Sequence, residues 1–157
     1  MKIIKDDIWK YRSREGVIVI PTNIGWKADK SNVMGAGLAL QVKNKFPKIP
    51  ELYGQECINH KEKLGVTFYP NYSFLMFPVK ELNITSPHLS WQNNATLKRV
   101  EKSCKSFVDL LKNNIMGFNF YMPLVGTGNG KLPVKDVMEL LDKYLSCFDN
   151  VYIVDKK

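Results

Sequence analysis

The sequence contains no CxxC pair. Its three cysteines, Cys57, Cys104 and Cys147, are odd in number and widely separated, and only His60 and His88 supply imidazoles. A disulfide framework and a zinc site are therefore excluded as organising features, and a reducing, cytoplasmic setting is expected. Cys104 and Cys147 fall on apolar helical faces and are expected to be buried as small hydrophobes. The two histidines are expected at the surface. No apolar run is long enough to cross a bilayer, so no membrane contact is expected. The opening residues MKIIKDDIWKYR carry charges where a signal peptide needs an apolar core. Internal repeats, low-complexity tracts and linkers are missing too, which predicts one domain over residues 1–157.

What is present reads as a globular domain, with 45% hydrophobic, 11% aromatic and 24% charged residues. The net charge of +8 suits an anionic partner. Lysine supplies most of it and is spread along the chain, a distribution that fits nucleic acid, a nucleotide ligand, or merely a lysine-rich proteome.

Short β-branched or aromatic runs predict strands at GVIVIPTN (16–23), GVTFYP (65–70), SFLMFPV (73–79), GFNFYMPLV (117–125) and VYIVD (151–155). Asn71 and Tyr72 join the second and third tightly. Leu38, Ala39, Val42 and Phe46 share one face of a helix stopped near Pro47. A second helix follows from Leu97, Val100, Cys104, Phe107, Val108 and Leu111, with its cap expected among Ser90 to Asn94. A third is predicted for residues 133–148, with Pro133 at its first position. Alternating strands and helices predict an α/β fold whose mostly parallel sheet is covered on both faces. Ligands of such sheets bind beyond the carboxyl ends of the strands.

Two glycine loops leave strands in that way, Gly35–Gly37 and Gly126–Gly130. A Gly-Ala-Gly corner can simply turn the chain, or it can let a phosphate reach the free N–H groups at a helix start. Two familiar phosphate motifs fail here. Leu40 stands where the dinucleotide fingerprint needs its third glycine. In GTGNGKL, Val125 and Leu132 replace the first glycine and the magnesium-binding Ser/Thr of a nucleotide-hydrolase loop. What remains is a pair of glycine loops able to grip a diphosphate from two sides, with Asn23 and Asn129 in reach of ribose hydroxyls.

On these residues the chain resembles the macrodomains, the family that binds ADP-ribose, and the resemblance covers nearly its whole length. DDIW, Asp6 to Trp9, is similar to the family's opening segment, with Asp7 at the adenine-binding acid and Ile8 at a backbone contact. VIPTN resembles the strand that ends in the ribose-side asparagine, here Asn23. VMGAGLALQVKNKFP resembles the first phosphate loop, with Met34, Gly35, Ala36, Gly37, Leu38 and Ala39 as its contacts. FPVK and PLVGTGNGKL are similar to the DNA ADP-ribosyl glycohydrolase antitoxins and to the terminal ADP-ribose glycohydrolase of animals. In that branch a lysine after the central strand is catalytic, which implies Lys80. The second loop then contributes Pro123, Leu124, Gly126, Thr127, Gly128, Asn129 and Gly130. Gly130 stands where the animal enzyme has an aspartate that the antitoxins also lack.

The resemblance implies a three-layer α/β/α macrodomain with a central mixed, mostly parallel sheet. It implies an ADP-ribosyl hydrolase that removes ADP-ribose from a nucleobase of DNA or from a protein carboxylate, working as a monomer without metal or cofactor. A neutral Lys80 amine can attack the anomeric carbon, whereas a protonated one serves as an electrostatic or acid group. The same pocket would serve a reader or sponge for ADP-ribose-like nucleotides, or a phosphatase acting on ADP-ribose 1″-phosphate. Trp26, on the polar loop after Asn23, can pack or lie over the distal ribose or an attached base. Tyr152 and Asp155 stand where the family often contacts adenine, and where a plain edge strand would also do.

Overall fold

The computed structural model describes residues 2–113 and 117–156. Along these the chain forms β1 Lys2–Lys5, β2 Gly16–Thr22, α1 Gly37–Lys45, α2 Ile49–His60, β3 Thr67–Tyr69 and β4 Phe74–Pro78. It continues through α3 Leu97–Lys112, β5 Asn119–Met122, α4 Val134–Leu145 and β6 Val151–Asp155. The sheet order is β1-β6-β5-β2-β4-β3. Every pairing is parallel except β3 with β4, whose hairpin closes through Tyr72 N–H to the Tyr69 carbonyl at 3.1 Å.

The run Val17 to Ile20 is fully buried because both faces of β2 are covered. Val17 and Val19 join Leu75, Phe77, Phe120 and Met122 against Val100, Cys104, Phe107, Val137 and Leu141 of α3 and α4. Ile18 and Ile20 join Phe74 and Met76 against Val42 of α1 and Tyr53 and Cys57 of α2. Alternate side chains of one strand thus feed two cores, giving three layers.

Several expectations need correction. Thr96 caps α3, its side chain accepting from the Arg99 N–H, so the cap lies outside residues 90–94. The reason is local: residues 87–92 form their own 3-10 turn, with Ser90 buried at its heart. Pro133 has extended backbone and precedes α4 as its cap, rather than occupying its first turn. Cys147 lies beyond the end of α4 and is exposed, while Cys57 is buried with Cys104. Two elements were not predicted. Helix α2 starts just past Pro47, where the preceding helix was expected to stop, and Ile49, Tyr53 and Cys57 recur every fourth residue on its buried face. Strand β1 is short, exposed and charged at both ends, and it forms by pairing with β6 from the other end of the chain.

Candidate functional site

Strands β2, β4 and β5 lie side by side, and the chain leaves β2 for β4 on one side and reaches β5 on the other. Their carboxyl ends therefore surround a topological switch, where an open α/β sheet has its crevice. The segments that leave these ends carry Asn23, Lys80 and Pro123. The pairing outlasts the formal strands, since the Val79 N–H donates to the Thr22 carbonyl at 2.8 Å.

The first glycine loop opens α1 at this end. Ala36, in extended backbone, is the helix cap, and no side chain caps the first turn. Among the described residues its amides are therefore left to water or to an anion, at the positive end of the helix dipole. Gly35, Ala36 and Gly37 are exposed, Leu38 and Ala39 half-buried, and Met34 is only 2% exposed, so methionine can offer a ligand little but its backbone. Gly37 holds a φ of 57°, a left-handed conformation that costs a side chain energy.

The second loop faces the first. A Cβ added to Gly37 would lie 3.9 Å from Asn129 Nδ2, so the two loops meet there. Thr127 turns back on its own loop, its hydroxyl donating to the Leu124 carbonyl at 2.7 Å. Pro123 and Leu124 are half-buried, Gly128 and Asn129 exposed, and Gly130 is buried against Ala95. A Cβ on Gly130 would come within 2.5 Å of the Ala95 Cβ, an impossible approach.

Ala95 also links this loop to Lys80. It forms an antiparallel bridge with Lys80, and its N–H donates to the Gly130 carbonyl at 3.0 Å. The Lys80 Nζ donates to the Trp91 carbonyl at 2.7 Å, and partial burial lowers the pKa of the amine. Glu81, the next residue, accepts from Arg99 Nε at 3.1 Å and Nη2 at 2.9 Å, and Arg99 is 3% exposed. Arg99 also donates to the carbonyls of Leu64 and Glu62. Hydrogen bonding from Arg99 is the main force holding the Glu81 carboxyl below its ordinary range.

Asn23 is 7% exposed and its amide is occupied by its own loop. Nδ2 donates to the Val33 carbonyl at 2.8 Å, and Oδ1 accepts from the Gly25 N–H and from Asn32 Nδ2, both at 2.9 Å. The Asx turn is thus formed, and the side chain braces the 23–33 loop. Trp26 is half-buried, its ring packed on the core beneath α1 and α2.

Asp7 and Ile8 open a 3-10 turn on the other side of α1, with Asp7 exposed and its carboxylate capping Trp9 N–H at 3.1 Å. The turn is tied to the site through α1, because Trp9 Nε1 donates to Gln41. Asp6 is held at a pKa of about 2 by Lys10, with the Asp7 N–H and Tyr11 adding to it. Tyr152 stacks on Tyr121, which stacks on Tyr11, with ring centroids 5.0 and 4.7 Å apart. Asp155 meets the opening segment through its carbonyl, which accepts from the Asp6 N–H. No recorded contact joins Asp7 to Lys80. His60 and His88 are exposed.

Sequence reasoning missed Trp91, Ala95, Glu81 and Arg99, all of which bear on Lys80. Only Arg99 had a visible signal, as a charge three residues after the helix-capping Thr96. A surface cleft of about 410 Å³ between α3 and α4 shares no residue with the glycine loops. Among the described residues no cluster of His, Cys, Asp and Glu could hold a metal ion, and no helix is long and apolar enough to cross a membrane.

No family model matches the chain. Over 122 residues, 77% of this chain, it is 28% identical to a DNA ADP-ribosyl glycohydrolase of Thermus aquaticus, and it spans about one third of that protein's length. The macrodomain of Thermus aquaticus DarG superposes with a TM-score of 0.72 at 20% identity, over 99% of this chain and 97% of that one. That of Mycobacterium tuberculosis DarG gives 0.72 at 19% identity, covering 98% and 96%. Thermosipho africanus DarTG, solved in complex with ADP-ribose, gives 0.71 at 22% identity over 99% of this chain and 41% of its own. This chain is therefore a macrodomain in fold, similar in sequence and structure to the macrodomains of DarG.

Proposed function

We propose that this protein binds ADP-ribose across its two glycine loops and hydrolyses the bond between ADP-ribose and a nucleobase of DNA, with Lys80 as the catalytic residue. The observation that carries this reading is the link through Ala95: the Lys80 backbone and the Gly126–Gly130 loop form one hydrogen-bonded unit. A diphosphate seated on that loop would have the lysine fixed relative to it, and such orientation is a large part of glycosidic catalysis. The likeness to a DNA ADP-ribosyl glycohydrolase and to an ADP-ribose complex supports the ligand class.

In this reading the amides of Gly35 to Ala39 and of Gly126 to Gly130 hold the diphosphate, and Asp7 and Ile8 meet the adenine. Pro123 and Leu124 line the floor, and Asn23 braces the wall beside the distal ribose. The neutral Lys80 amine attacks the anomeric carbon. A C–N bond to Nζ forms as the bond to the base breaks, and the base leaves with the electron pair and takes a proton. The lysyl glycosylamine opens its ring to an imine, and water hydrolyses the imine to release ADP-ribose and the free lysine. Desolvation of Lys80 favours the neutral form this step needs.

The test is a mass-spectrometric time course of wild type and Lys80→Ala with an ADP-ribosylated thymidine oligonucleotide, and in parallel with a protein ADP-ribosylated on glutamate. Release of ADP-ribose from the oligonucleotide that is lost in the variant, with a borohydride-trapped adduct on Lys80, is the expected result. Binding of ADP-ribose without release from either substrate would overturn the enzyme and leave a binding module.

A further inference from the structure

Among the described residues five large hydrophobic side chains are at least two-fifths exposed, and two of them, Ile84 at 73% and Trp91 at 46%, lie on the segment after Lys80. Scattered singly such residues mean little, but a pair on one short segment beside a reactive lysine is a different matter. That segment is braced throughout. Ser90, fully buried, accepts from the Asn83 N–H at 2.9 Å and donates to the Pro87 carbonyl at 2.8 Å. Asn83 Oδ1 accepts from Thr85 and from the Ser86 N–H, and Asn93 Nδ2 donates to the Glu81 carbonyl at 3.0 Å. Arg99 fixes one end through Glu81.

The loop after β2 presses on the other end. A Cβ on Gly25 would lie 1.9 Å from the Pro87 carbonyl and 2.6 Å from Ser90 Oγ, so backbone meets backbone there. The backbone of Trp91 is thus held in place, and its carbonyl takes the Lys80 amine at 2.7 Å. Its indole stays in water although a rigid backbone has already removed much of the freedom that a contact would otherwise cost. An exposed indole on a fixed backbone, whose own carbonyl holds the Lys80 amine, is the kind of surface on which a base can stack.

We propose that the 81–93 segment seats the modified nucleobase of single-stranded DNA, with the Trp91 indole as the stacking surface that selects a base-linked ADP-ribose over other leaving groups. The inference rests on the DNA reading above and adds the residue that reads the base. The net charge of +8 complements the strand that carries it. Ile84, exposed on the same segment, is available to the neighbouring nucleotide. Because the Lys80 contact uses the Trp91 carbonyl, side-chain substitution leaves the hydrogen bond to the amine in place.

The experiment measures binding in the Lys80→Ala background, where turnover cannot interfere. Calorimetry compares free ADP-ribose with an ADP-ribosylated thymidine oligonucleotide, for Trp91 intact, Trp91→Ala and Trp91→Phe. The inference expects Trp91→Ala to weaken the oligonucleotide by about tenfold, the size of one base–aromatic stack, and free ADP-ribose far less, with Trp91→Phe restoring most of the loss. An unchanged oligonucleotide affinity in Trp91→Ala, or an equal loss for both ligands, overturns it. If wild type still cleaves the oligonucleotide in that case, the DNA reading survives. If the protein with Trp91 intact binds the oligonucleotide no better than ADP-ribose, the base has no seat and the inference fails. Cleavage of the glutamate-linked substrate alone would transfer the activity to protein.

Discussion

Lys80 and Glu81 are sequence neighbours with opposite charges and opposite partners. Among the described residues Lys80 has a carbonyl for its amine and no carboxylate in ion-pair contact, and burial pulls its pKa down from 10.5. As pH rises, the neutral fraction grows, so kcat/KM for ADP-ribose release is expected to climb and level off at a value below 10.5. A profile that falls with pH in this range would mean that the protonated amine does the work. Glu81 behaves in the reverse sense. Its folded pKa lies below the usual 4.5 because Arg99 donates to it, so its contribution to stability is full above that value and is lost as pH falls through the depressed one. Chemical denaturation should therefore show Glu81→Gln less stable than wild type at neutral pH, with the difference shrinking in acid. Arg99→Ala removes more, since the Glu81 carboxylate and the buried Leu64 carbonyl lose their donor together, and about 3 kcal/mol of stability is expected to go with it.

Among the elements, β2 was legible because its β-branched run needs no partner to be recognised, and α3 because its apolar residues recur at helical spacing over sixteen residues. The glycine loops could be found but not assigned, since a corner and a cradle share one composition. What the sequence could not show is spatial: Gly37 meets Asn129, and Gly130 meets Ala95, across 92 and 35 residues of chain. The 3-10 turn at Trp91 has no periodic pattern to announce it, because besides the Ser90–Pro87 hydrogen bond inside it, it is held by the close approach of Gly25 and, through Asn93, by the Glu81 carbonyl. A prediction separates the two glycine roles. Gly130→Ala forces its Cβ into Ala95 and the Gly126 carbonyl, so it should cost about 1–3 kcal/mol of stability and displace the Lys80 bridge, weakening turnover. Gly128→Ala meets nothing within 4 Å and should melt like wild type. Thermal denaturation of both variants, with turnover measured beside it, checks the pair.

For the whole molecule, the sheet order places the segments after β2, β4 and β5 around one end, while basic residues spread along the whole sequence give a charge of +8. A diffuse field of this kind draws in a polyanion without contacting many of its phosphates. Binding of the ADP-ribosylated oligonucleotide should therefore weaken as salt rises, with a log–log slope of about −2, the value for roughly three neutralised phosphates on a single strand. Free ADP-ribose, whose diphosphate the proposed function places on backbone amides rather than on lysines, should show a shallower dependence. Equal slopes for the two ligands, measured by titration across a salt series, would mean that the strand beyond the modified base makes no ionic contact. A slope several times steeper would require a concentrated basic groove, which the even spread of lysine along the sequence does not supply.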